Sequence, residues 1–114
     1  MDTCSLHVEL PTGREVAGRA RQAVRDQLDR SLANPALEEL LLAVSEMVTM
    51  VLRTATEPTM SLRVTWRPDL VRVEVHDGPA EVQPGMGGRL LTVLAERWGV
   101  TAAPPAVWAE MATA

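Results

Sequence analysis

Apolar and polar positions follow two periods along the chain, and these periods fix the expected elements. From Ser5 to Leu10 the apolar residues Leu6, Val8 and Leu10 alternate with polar ones, as on a strand with one buried face. Pro11-Thr12-Gly13 ends that run, and a helix is expected from Arg14 to Arg30, with Val16, Ala20, Ala23, Val24 and Leu28 on its apolar stripe. After the polar break at Ser31 to Asn34, Pro35 suits a first helical turn, where a missing N–H costs nothing. The longest helix is expected from Pro35 to about Thr54. Leu37, Leu41, Val44, Val48, Val51 and Ala55 recur at spacings of four and three and face the core. A second line, Glu39, Ala43, Glu46, Met50 and Arg53, mixes acids, an arginine and apolar groups, which a plain surface helix would not do. Glu46 and Met50 are one turn apart on it, so both side chains can meet one ligand.

Met60 to Trp66 and Leu70 to His76 read as two strands of a hairpin around Arg67-Pro68-Asp69. In the second strand Val71, Val73 and Val75 take one face and Leu70, Arg72, Glu74 and His76 the other. Asp77-Gly78-Pro79 closes it, a short loop covers 79–84, and Gly85-Met86-Gly87-Gly88 opens a helix expected from about Gly88 to Arg97. Leu91, Leu94 and Trp98 lie on the apolar side of that helix and Gly99 is its stop. Val100 to Ala102 and Ala106 to Met111 read as closing strands around Pro104-Pro105, the latter with Val107 and Ala109 facing one way and Trp108 and Glu110 the other. The expected order β, α, α, β, β, α, β, β gives an α+β fold, a two-layer α/β sandwich in which about three helices cover one face of a largely antiparallel mixed sheet.

Composition narrows this further. A chain of 114 residues makes one domain, spanning 1–114, and an apolar fraction of 46% fits a packed globule. There is no Phe or Tyr, so Leu, Val, Ala and Met must build the core. The net charge of −4, with every basic residue an arginine and the arginines spread along the chain, argues against direct nucleic-acid binding. Cys4 is the only cysteine, so no intrachain disulfide forms. With no signal-peptide pattern at the start and no apolar run near the roughly 18 residues that cross a bilayer, a cytoplasmic protein without membrane segments is expected.

Three pieces then fall in order: Glu46 on the long helix, Asp77-Gly78 at a strand end, and a glycine-rich turn whose helix-start N–H groups suit phosphate. In this order, and through the phrases LLLAVSEMVTMVLRTA, VRVEVHDG, GMGGRLLTVLAERWGV and AVWAEM, the chain resembles the histidine-kinase-like ATPase superfamily (the Bergerat fold), and within it the small bacterial anti-sigma-factor serine kinases. The resemblance covers nearly the whole chain. It implies a catalytic Glu46, acting as base or orienting the attacking group. It implies nucleotide binding by Asp77, which would accept a hydrogen bond from the adenine amino group, and by Gly78, Gly85 and Gly87. ATP or ADP and magnesium would be the cofactors. The partners would be a sigma factor and an anti-sigma-factor antagonist, met by a homodimer.

The same comparison marks a departure. The family's helix motif is Glu-x-x-x-Asn, and its Asn ligates magnesium. Here Met50 holds that place, and a soft thioether is a poor ligand for a hard cation. The glycines expected after Gly78 are replaced by Pro79 and Glu81, and the lid between the motifs is cut to a few residues. Phosphoryl transfer depends on positioning and on the metal. The expectation is therefore a degenerate member with no metal ligand at position 50, acting by protein–protein binding with kinase activity lost or weak. The alternatives are a working serine kinase on an anti-sigma-factor antagonist, and a nucleotide-binding switch without turnover.

Overall fold

In a computed structural model the described residues are 4–32, 34–55, 57–77, 97–102 and 105–112. They form β1 (Cys4–Pro11), α1 (Val16–Leu28), α2 (Asn34–Thr54), β2 (Thr59–Arg67), β3 (Leu70–His76), β4 (Arg97–Ala102) and β5 (Pro105–Ala112). The strands make one sheet of order β1-β2-β3-β5-β4, with every described pairing antiparallel. The expected mixed sheet is thus wholly antiparallel among the described strands. Two helices are described; the third expected helix falls, for residues 88–96, outside the described residues.

The period-2 pattern places the core. In register across the sheet, Val8 faces Leu62, Leu62 faces Val75, and Val75 faces Val107. Leu62, Val75 and Val107 are fully buried under the helices, and Leu6, Val8, Trp66 and Trp98 pack around the core's edge. α1 packs on α2 and over β1, while α2 lies over β3 and β5. Because α2 is covered on two sides, it buries more than one stripe. Leu37, Leu41, Val44, Val48 and Val51 are buried as expected, and so are Leu40, Ala43, Met47 and Met50. The α1 stripe of Val16, Ala20, Val24 and Leu28 is buried too, with Ala23 partly so.

The hairpin of β2 and β3 turns on Pro68-Asp69, with Arg67 paired to Leu70. One expectation is overturned beyond it. Arg97, Trp98 and Gly99 are not the end of a helix: they open β4, where Trp98 pairs with Ala109 and Gly99 with Trp108. Gly99 therefore terminates nothing. Its role is close approach, since a Cβ there would meet Trp108 Nε1 at 3.0 Å and Cε2 at 3.1 Å. Arg72 covers the same indole, with its guanidinium carbon 4.6 Å from the ring centroid. Gly99→Ala is expected to cost about 1–2 kcal/mol in chemical denaturation, because the clamped ring has to shift by a few tenths of an ångström. An unchanged midpoint would show that the ring moves freely.

Candidate functional site

β3 carries the chain to Asp77, the first residue after the strand. The inward-facing alternation of Val71, Val73 and Val75 continues to Asp77, which is only 6% exposed. Burying a carboxylate at a strand end is costly unless the surroundings answer it. A cavity of about 280 Å³ opens beside it, lined in part by Glu9, Glu57, Ser61, His76 and Asp77.

The remaining motif residues, Glu46 and Met50, stand on α2, which contributes none of the residues lining that cavity. Glu46 is half-buried and Met50 is 1% exposed, inside the same apolar cluster as Met47 and Val51. The polar groups near them already serve the packing of the helices. Arg21 Nη1 on α1 donates to Ser45 Oγ at 2.7 Å, and Thr49 Oγ1 donates to the Ser45 carbonyl at 2.8 Å. Magnesium asks for about six hard oxygen ligands in a near-octahedral shell, several of them water. A core thioether offers neither oxygen nor room. Position 50, as the structure describes it, does not fit the ion. Of the residues singled out for nucleotide binding, Asp77 is placed at the cavity, while Gly78, Gly85 and Gly87 lie outside the described residues.

The face of the sheet away from the helices holds a constellation that no short motif announces. Arg72 donates from Nε to Glu74 at 3.0 Å and from Nη1 to Glu110 at 2.9 Å. Arg97 donates to the other Glu110 oxygen, and His76 Nε2 is 3.1 Å from Glu74. Burial would raise the Glu110 carboxyl, but hydrogen bonds and charge from Arg72 and Arg97 outweigh it and hold it below the usual carboxylate range. Glu74 is held down in the same way, against burial, by Arg72 and His76. The alternation in β3 and β5 places these side chains outward; the register that joins residues 38 apart comes only from the strand pairing. The ladder is self-neutralising and ties three strands together, which is a structural role.

No protein-family model matches the sequence, and no curated protein matches it. The fold does have a counterpart among solved structures. The crystal structure of the RsbU and RsbW domains of Rv1364c from Mycobacterium tuberculosis matches 96% of this chain with a TM-score of 0.74 at 17% identity. The chain spans about a third of that longer one, 32% of its length. At this identity the likeness establishes the fold alone: the chain shares the α+β arrangement of that structure. No helix of the described residues is long and apolar enough to cross a membrane.

Proposed function

We propose that the chain is a regulatory module of the anti-sigma-factor kinase type that acts by binding a protein, with phosphoryl transfer lost or reduced to a trace. The observation that carries this reading is Met50. It stands where the family resemblance calls for the magnesium-ligating Asn, and it is 1% exposed within the apolar core. Without a metal to neutralise the phosphates, the chemistry loses its main electrostatic support. The likeness in fold to a chain that contains an RsbW domain supports a place in partner-controlled regulation. A sigma factor and an anti-sigma-factor antagonist are the partners proposed, with a homodimer as the working unit in the cytoplasm. Control would then follow partner concentration. Glu46, half-buried on α2, would be a vestige of the catalytic position.

A second reading draws on Asp77, whose buried carboxylate at the end of β3 suits an adenine amino group. It makes the protein a nucleotide-binding switch without turnover. One pair of measurements separates these readings from a working kinase. Calorimetric titration with ATP and ADP, with and without magnesium, is expected to show no magnesium-dependent affinity. Incubation of a purified antagonist with labelled ATP is expected to leave it unphosphorylated. Binding of ADP that is indifferent to magnesium would favour the switch. Tight magnesium-dependent binding with label on a partner serine would sink the degenerate reading.

A further inference from the structure

We infer that the metal side of the site has become part of the hydrophobic core, so that the misfit to magnesium does not reside in one side chain. This rests on the reading that Met50 occupies the place of the magnesium ligand. Met50 is not an isolated plug. It ends a continuous line, Leu40, Ala43, Met47 and Met50, whose members are 1%, 0%, 0% and 1% exposed. The line runs beside the stripe of Leu37, Leu41, Val44, Val48 and Val51, and the two together make α2 apolar over most of its girth. Its exposed positions are few, and even they include Leu42.

An amide at position 50 would bring two donors and an acceptor into this cluster. Met47 and Val51 offer it no polar atom, and the half-buried Glu46 one turn away answers one group at best. Part of the amide would stay unpaired, at a cost to the folded state. A hydrated ion would in addition need space for its waters, which a position 1% exposed does not provide. Restoring the motif Glu-x-x-x-Asn therefore destabilises the domain without restoring the metal.

Thermal melting and magnesium-ATP titration of Met50→Asn test this. The expected result is a midpoint lowered by about 5–15 °C, with magnesium-dependent ATP affinity unchanged within about twofold. A midpoint within about 2 °C of the wild type, together with a tenfold or larger magnesium-dependent gain in affinity, would overturn the inference. Should the Asn variant not fold, Met50→Ala decides, since it adds no polar group. A core position predicts a fall of about 10–20 °C from the cavity, whereas an unchanged midpoint would show a pocket-lining residue and refute the proposal. A silent wild type with a responsive Asn variant would defeat this inference alone and leave the degenerate reading standing. A responsive wild type would defeat that reading first.

Discussion

Leu62→Ala is expected to lower the unfolding free energy by about 2–5 kcal/mol, enough to unfold a marginal domain near physiological temperature. Leu62 is fully buried on β2, between Val8 of β1 and Val75 of β3, beneath the helical layer. Its neighbours across both strand pairs are valines, whose stiff branched side chains cannot swing over to fill the space. The cavity therefore stays largely open, which puts the cost toward the upper end of the range. Urea denaturation followed by circular dichroism measures it. The matched control is Leu42→Ala: Leu42 is 44% exposed on α2, and its loss should stay within about 0.5 kcal/mol. Equal losses at the two positions would contradict the burial pattern.

Glu110→Ala is expected to cost about 1–3 kcal/mol. Glu110 is 8% exposed although it lies on the sheet face away from α1 and α2, because Arg72 and Arg97 each take one of its oxygens. Removing it strands a half-buried Arg72 between Trp108 and Glu74 and frees β4 from its side-chain tie to β5. The variant also has a distinctive acid limb. Glu74 and Glu110 have folded-state pKa values held below the ordinary value of 4.5, so they contribute stability at pH above that value. The contribution is lost as pH falls below 4.5 through the lowered folded values. Wild type should lose stability steeply there, and Glu110→Ala should show a flatter dependence from a lower plateau. Parallel acid limbs in the two proteins would show that the ladder stores no pH-dependent stability.

The elements that declare themselves in the sequence are those whose periodicity is local. Val71, Val73 and Val75 against Arg72, Glu74 and His76 state both the strand and its faces, and Pro68-Asp69 states the turn before it. Val107 and Ala109 against Trp108 and Glu110 do the same for β5. Arg97 to Gly99 misled for a physical reason. Leu91, Leu94 and Trp98 are spaced like a helix face, and glycine is an ordinary helix end. The strand state of residues 97–99 is dictated by pairing with β5, and Gly99 is demanded by the indole of Trp108. Neither is visible until the register is known. The arginine–glutamate ladder is hidden for the same reason. At the candidate site, Asp77 is legible because a strand end followed by Asp-Gly is a local signal. Position 50 is legible as a departure from a motif. Its depth is not, because that depends on α2 being wrapped by α1 on one side and the sheet on the other.

The strand order sets a schedule for making the protein. β5 is the last of the described strands in chain order, yet it sits between β3 and β4. As the chain leaves the ribosome, β3 presents an unpaired, valine-rich edge, and β4 follows with nothing among the described strands to pair with. Both wait for the same eight residues. Arrival of β5 closes two pairings at once, so the sheet is completed in one late, nonlocal step. Until then the nascent domain carries the open edge that invites pairing with another chain, and this interval is when chaperones or a partner protein have most influence on its fate.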